Sequence, residues 1–391
     1  MRNKSGTILL RKLCRVCCAA RQSRALQAPC YGVLILLLLC SVVRAADFAA
    51  VTPGRTFQFP RDHGAHPEFK TEWWYFTGHL QDDRGRVYGF QWTVFRSALR
   101  QPKGESRPSA SPWRAEQIFL GHLAISDLGA GNFRFEEGAA RAALGLAGAG
   151  QDGFQVWLPG FSATTADGET RIGAEKGDLG LDLRMKLPED AWLQGQSGYS
   201  PKSREPGKAS YYYSLPNLAV NGSLKNAGKE IPVQGQAWMD HEFGSGQLGP
   251  QQSGWDWMGL PLGGGEALMV YRLRDRRDPS RDFIYGGFFK RRGEWRALSA
   301  EELRIEAGGF WKSPRSGGSY PLEWRVQVPS QDLDLKIGAA FSDQELDTRK
   351  STQVTYWEGS VEITGRSGPR EVKSKGYLEM TGYARSFEQD L

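Results

Sequence analysis

Beyond its first 46 residues the 391-residue chain has no cysteine. All five cysteines (Cys14, Cys17, Cys18, Cys30 and Cys40) lie near the N-terminus. No disulfide and no thiolate metal site can therefore hold the remainder together. Histidine is nearly as scarce, with five in the whole chain. There is no G-x-S-x-G, no H-E-x-x-H and no P-loop, which removes serine-hydrolase, zinc-protease and nucleotide-hydrolase chemistry. The glycine-rich "GLPLGGGEAL" (259–268) has strand-like segments on both sides, so it reads as a hairpin. An excess of one charge is also lacking. The formal charge is +6, but residues 1–46 hold eight Lys or Arg and no acid, which leaves 42 basic against 44 acidic residues. A nucleic-acid binder needs a basic face, and this balance argues against one.

The basic N-terminal stretch runs into "YGVLILLLLCSVV" (31–43) and then "RAAD". A basic region, a short apolar run and small residues at a cleavage point read as a secretory signal over residues 1–45. Val43 and Ala45 stand at the −3 and −1 positions. The apolar run is shorter than the roughly 20 residues of a spanning helix. The expected product is exported, periplasmic or secreted, and keeps roughly 345 residues, enough to bury a core without disulfides.

That remainder reads as strands throughout. In "GDLGLDLRMKL" (177–187), Leu179, Leu181, Leu183, Met185 and Leu187 alternate with polar residues or glycine, the period of a half-buried antiparallel strand. "TEWWYFTGHL" (71–80) and "VYGFQWTVFR" (87–96) flank the turn "QDDRGR" and predict a hairpin. Roughly eight strands fall before residue 245 and about eight after it, and no amphipathic helix exceeds ten residues. The expectation is an all-β chain with two antiparallel β-barrels in tandem, residues 46–247 and 248–391, or two β-sandwiches. Long Pro/Ser/Gly-rich loops are expected at 96–117 and 188–208, and a tight turn region at 138–150.

The residues able to do chemistry are few. His63 and His66 lie near Asp62, Glu68 and Glu72. They fit a metal set or, more simply, a loop that bonds its own backbone, because Pro60, Gly64 and Pro67 forbid a helix. On 71–80, Trp73, Tyr75, Thr77 and His79 share one face and Glu72, Trp74, Phe76 and Leu80 the other, as in a barrel with a partly polar lumen. His122 among aliphatics reads as a satisfied core group. "AWMDHEFGSG" (237–246) and "GWDWMGL" (254–260) put Asp240, His241, Glu242 and Asp256 among tryptophans. A carboxyl among rings has a raised pKa and can serve as an acid, and indole faces stabilise a cation. Together these suit protonation of a carbon–carbon double bond. A buried Asp240–His241 pair that fixes the domain junction accounts for the same residues.

"EWWYFTGHL", "WMDHEFG", "GWDWMGL", "YWEG" (356–359) and "GYLEMTGY" (376–383), in this order, resemble the AttH/carotenoid 1,2-hydratase-like family of exported bacterial proteins. The resemblance implies two lipocalin-like β-barrel domains and a hydrophobic ligand. It also implies water addition to an isoprenoid double bond without a redox cofactor, or an association with ABC transporter permeases. Glu242 and Phe243 follow the Asp-His step where the hydratases are expected to carry a polar residue and a tryptophan. On this reading Asp240 or Asp256 is the proton donor, and His241 orients or activates water. The walls come from Trp73, Trp74, Tyr75, Trp238, Phe243, Trp255, Trp257, Tyr271, Tyr356 and Trp357. No metal and no cofactor enter the scheme. The partner is a hydrophobic small molecule (isoprenoid, carotenoid or lipid), and the alternative is a lipid-binding module without chemistry.

Overall fold

The alternation in the sequence becomes two large antiparallel sheets in a computed structural model that describes residues 48–100, 111, 113–246, 248–249, 251–291 and 293–386. The expected leader and its cysteines lie outside the described residues, as does part of the 96–117 loop. The first sheet comprises β1 (Thr71–Asp82), β2 (Val87–Ala98), β3 (Gln117–Asp127), β4 (Asn132–Arg141), β5 (Gly148–Ala149), β6 (Gln155–Leu158), β7 (Phe161–Ala166), β8 (Glu169–Lys176), β9 (Leu179–Met185), β10 (Trp192–Leu193), β11 (Tyr199–Pro201), β12 (Ala209–Asn226) and β13 (Lys229–Gly244). The second comprises β14 (Gln252–Gly263), β15 (Glu266–Asp275), β16 (Phe283–Arg291), β17 (Glu294–Leu298), β18 (Arg304–Lys312), β19 (Ser319–Val328), β20 (Leu333–Ala339), β21 (Glu345–Thr348), β22 (Val354–Ser367) and β23 (Arg370–Met380). Helical structure among the described residues is confined to four 3-10 turns of three residues each.

The first sheet runs β4-β3-β2-β1-β13-β12-β9-β8-β7-β6-β5, and the second runs β17-β16-β15-β14-β23-β22-β20-β19-β18. Both are curled half-barrels. The strand count exceeds the expected eight per sheet for a local reason. The 188–208 loop lends β10 and β11 to the edge of β12. The 138–150 segment is not a plain turn, because β4 runs on to Arg141 and β5 follows. The predicted hairpin is β1–β2, with Gly85 at φ +78° in its turn. In β9, Leu179, Leu181, Leu183 and Met185 all enter the first core while Arg184 is exposed.

The first sheet wraps a core that includes Trp74, Phe76, Phe90, Trp92, Leu183 and Met239. The second wraps Met258, Leu260, Trp324, Trp357 and Leu378. The inside of each curl is filled mostly with apolar side chains, with buried Glu72, Arg96 and His241 among those of the first. A second set of polar and aromatic residues faces outward, where the outer faces of the two sheets pack on each other. That junction buries Tyr75, Trp192, Tyr212, Trp238, Trp257, Tyr271 and Tyr377. Side-chain bridges stitch it together, including His79 Nε2 to Ser360 Oγ at 2.8 Å and Ser126 Oγ to Gln344 Oε1 at 2.8 Å. Residues 46–391 form one compact unit.

Candidate functional site

Strand period two decides which side chains meet. On β1, Trp73 and Tyr75 point to the junction while Glu72 and Trp74 point into the first curl. The register pairs Tyr75 with Asp240 and Trp74 with His241. On β13, Trp238, Asp240 and Glu242 therefore face the junction, and Met239, His241 and Phe243 face inward. On β12, Tyr212 and Ser214 face Asp240's side, and Tyr211 and Tyr213 face His241's. Asp240 and His241, adjacent in sequence, lie on opposite faces of one sheet and do not form a pair.

A cavity of about 260 Å³ opens in the junction. The first sheet contributes Trp73, Tyr75, Gln91, Thr93, Phe95, Tyr212, Asp240 and Glu242, and the second contributes Trp255, Trp257, Tyr271, Leu273, Glu358 and Glu379. Lys70, Thr71, Lys202, Lys208, Ser245, Gly246 and Leu248 complete the lining. Trp257 lies back over its own strand because residue 259 is glycine. A Cβ there would stand 2.5 Å from the Trp257 ring, inside any real contact distance.

Asp240 is buried and carries three donors. Trp238 Nε1 at 2.8 Å and the Ser214 hydroxyl both reach Oδ1, and the Tyr212 hydroxyl reaches Oδ2 at 2.7 Å. Tyr212 in turn accepts from Trp257 Nε1 at 3.0 Å. Burial pushes the Asp240 carboxyl up to about 7, against the opposing pull of these hydrogen bonds. Its proton is thus exchangeable near neutral pH, and it faces the cavity.

Glu358 and Glu379 stand directly opposite each other across β22 and β23. Burial raises Glu358 well above the ordinary carboxyl range, and the neighbouring Glu379 adds to that rise. Burial also raises Glu379, with Asp240 and Glu242 contributing. Glu358 Oε1 and the Tyr75 hydroxyl are buried without a hydrogen-bond partner. Glu242 differs, since Lys202 Nζ sits 2.9 Å from its Oε1. Lys202 also lies over the rings of Tyr212 and Tyr271 at 4.7 and 4.6 Å.

The opposite face of β1 and β13 holds a separate polar cluster. His66 Nδ1 lies 2.7 Å from Glu72 Oε1, and its Nε2 lies 3.0 Å from Asp62 Oδ1. With a carboxylate at each ring nitrogen, His66 is an imidazolium. Burial opposes that charge, but Glu72 and Asp62 hold its pKa above the ordinary value. His241 Nε2 donates to Glu72 Oε1 at 2.9 Å, and its Nδ1 meets the Tyr213 hydroxyl at 2.9 Å. Burial lowers the His241 pKa despite Glu72 beside it, so His241 stays neutral. Arg96 Nε and the His66 backbone N–H, each at 2.9 Å, close the second Glu72 oxygen. His66, Glu72 and His241 are near enough to one another to hold a metal ion. The donor set argues against one. Each of those ligand atoms is already bonded within the cluster, and the Arg96 guanidinium occupies the same carboxylate.

The structure therefore divides the expected site residues. Asp240, Trp73, Tyr75, Trp255, Trp257 and Tyr271 line the cavity, and Trp238 flanks it through Asp240. His241, Trp74 and Phe243 point into the first curl, where Phe243 stacks on His66 at 3.6 Å and Trp74 on His241 at 5.1 Å. Trp357 is in the second core. Tyr356 lies on the junction face but binds His122 Nδ1 at 2.9 Å, away from the cavity lining. His122 is satisfied, with Ser351 Oγ at 2.9 Å on its other nitrogen. Asp256 points away from its tryptophan neighbours and is ion-paired with Arg272 at 2.8 Å and with Arg274; the Tyr383 hydroxyl donates to it at 3.0 Å. Tyr212, Ser214, Lys202, Glu358 and Glu379 were not singled out from the sequence. The two glutamates sit inside "YWEG" and "GYLEMTGY", where the rings drew attention first.

A model of the AttH-like family matches residues 50–383. The chain belongs to the AttH-like family. The crystal structure of an AttH protein from Nitrosomonas europaea is similar, with a TM-score of 0.76 and 34% identity over 86% of this chain and 100% of that one. The fold is also that of kievitone hydratase from Nectria haematococca, with a TM-score of 0.65 and 13% identity over 87% of this chain and 97% of that one. Among curated proteins, dehydratase asqC of Emericella nidulans is 22% identical over 229 residues. That match spans 56% of this chain and 64% of asqC, just under two thirds of that relative's length. This lipocalin-like fold therefore occurs in a protein named for adding water, and a weak sequence relative is named for removing it.

Proposed function

We propose that this chain adds water to, or removes it from, a carbon–carbon bond of a hydrophobic small molecule held at the sheet junction. The observation that carries the proposal is Asp240, a buried carboxyl facing an aromatic cavity with its pKa pushed up to about 7. A carboxyl in that range gives and takes a proton near neutral pH. In the hydration direction the Asp240 O–H protonates one alkene carbon, the indole and phenol faces of the cavity stabilise the charge that develops on the other, and water adds there and returns a proton to the Asp240 carboxylate. In the dehydration direction the Asp240 O–H protonates the hydroxyl, which leaves as water, and the carboxylate then takes the proton from the neighbouring carbon. Tyr212 couples this exchange to the hydrogen bond from Trp257. The names of the hydratase and dehydratase relatives support the same reaction class, and an isoprenoid chain fits the apolar walls.

A second reading is a binding module without chemistry. The three donors on Asp240 favour it, since they would also hold a carboxylate of purely structural use. The test is incubation with a lycopene-type acyclic polyene, followed by a search for a product one water heavier. Asp240→Asn should then lower turnover by about 10²-fold with the fold intact. Ligand that binds and returns unchanged supports the module.

A further inference from the structure

The carboxyls on the second-sheet wall lack the counter-charge that buried acids ordinarily find. Glu358 is 1% exposed and its Oε1 is unpartnered, and its near neighbours Tyr75 and Tyr356 are uncharged. The groups acting on Glu358 are Glu379, Tyr75 and Tyr356, and it in turn acts on Tyr377. Those acting on Glu379 are Trp255, Asp240 and Glu242. None of these is a cation. Lys202, on the same cavity, is engaged by Glu242, and Lys70 and Lys208 line the cavity without acting on either glutamate.

We propose that this wall is a subsite for an organic cation, the ammonium group of a hydrophobic amine, seated between Glu358 and Glu379 with Tyr75 beside them. Buried carboxylates are stable when a positive charge accompanies them, and here a ligand is the available source. The wall already accepts such a charge elsewhere, because the Lys202 ammonium lies on the faces of Tyr212 and Tyr271. An amine N–H supplies the donor that Glu358 Oε1 lacks, and Trp255 and Trp257 supply ring faces for the attached carbon groups. A bare metal ion fits less well. Among the described residues the cluster compact enough for one is His66, Glu72 and His241, on the other side of the sheet. Burial raises Glu358 and Glu379, so an ammonium seated between them would displace a proton.

This inference rests on the cavity and not on the proton chemistry of Asp240, so hydration and amine binding are separate readouts. The experiment titrates the full chain at neutral pH with benzylammonium and with benzyl alcohol, its uncharged counterpart of nearly equal size, following tryptophan fluorescence. Benzylammonium should bind at least about tenfold more tightly. Its binding should release protons, seen as a dependence of the calorimetric heat on the buffer, and benzyl alcohol should release none. Glu358→Gln and Glu379→Gln should each bring the two ligands to nearly equal affinity. Retained benzyl alcohol binding reports that each variant is folded, and Tyr75→Phe serves as a third variant if a glutamate change disrupts folding. Equal affinity in the wild type, no benzylammonium binding, or a preference that survives in both folded glutamine variants would overturn the proposal.

Discussion

Strands β1 and β13 carry two polar clusters back to back, and the two are built on different rules. The inner one, around Glu72, is charge-matched. Both oxygens of Glu72 and both ring nitrogens of His66 and His241 are bonded, and Asp62 and Glu72 are matched by His66, Arg96 and Arg55. The outer one, around Asp240, Glu358 and Glu379, has no cation among the groups that shift it, two orphaned atoms and a cavity beside it. Burial alone is the same signal in both. What separates them is counter-charge, because acids matched by cations stabilise the fold whereas buried acids without a cation beside a cavity mark a candidate site.

The largest effect should come from breaking the charge-matched cluster. Glu72→Ala leaves the His66 imidazolium and Arg96 buried without their carboxylate, and should lower unfolding free energy by about 3–5 kcal/mol in a denaturant melt. A loss under about 1 kcal/mol would mean that the inner cluster is not structural. Asp256→Asn, away from the cavity, should cost roughly 1.5–3 kcal/mol and leave ligand affinity per folded molecule unchanged, measured by calorimetry.

The clusters should also respond to pH with opposite sign. Hydrogen bonds and charges hold Glu72 and Asp62 below the ordinary carboxyl range despite burial, so their stabilisation is present above pH 4.5 and lost as pH falls. Asp240 is raised from 3.8 to about 7, so its stabilising share is full below 3.8 and is lost as pH rises to 7. Asp240→Asn removes that loss. Melts of the two proteins should therefore move in the variant's favour between those pH values and run parallel above them. Parallel curves throughout would place the Asp240 pKa in the ordinary range. The smallest contrast lies between two tyrosines. Tyr213→Phe strips partners from His241 and His63 and should cost about 1–3 kcal/mol. Tyr75→Phe removes an unpartnered hydroxyl and should stay within about 0.5 kcal/mol.

Much of this was legible in residues. The β9 and β1–β2 patterns follow from period two and an Asp/Gly turn, and the knots of acid and tryptophan at 237–257 supply Asp240, Glu242, Trp255 and Trp257 to the cavity lining. The same period, applied to residues 237–243, separates Asp240 from His241, because neighbours on a strand point opposite ways. It also takes Asp256 away from Trp255 and Trp257. What no local pattern could supply is register across distant strands. Glu358 meets Glu379 only once β22 pairs with β23, and Glu72 meets His241 only once β1 pairs with β13. The location of the cavity was hidden for a similar reason. An alternating strand shows that it has two faces, but which face lies inside a curl and which lies between curls is a tertiary fact.

The most direct test of the central claim, that the outer face of β13 presents a working acid to the cavity, is a carboxyl-carbon NMR titration of Asp240. The signal is assigned by its absence in Asp240→Asn. The account predicts a midpoint near 7 in the ligand-free protein. A midpoint near 3.8, the ordinary value for the side chain, would contradict it.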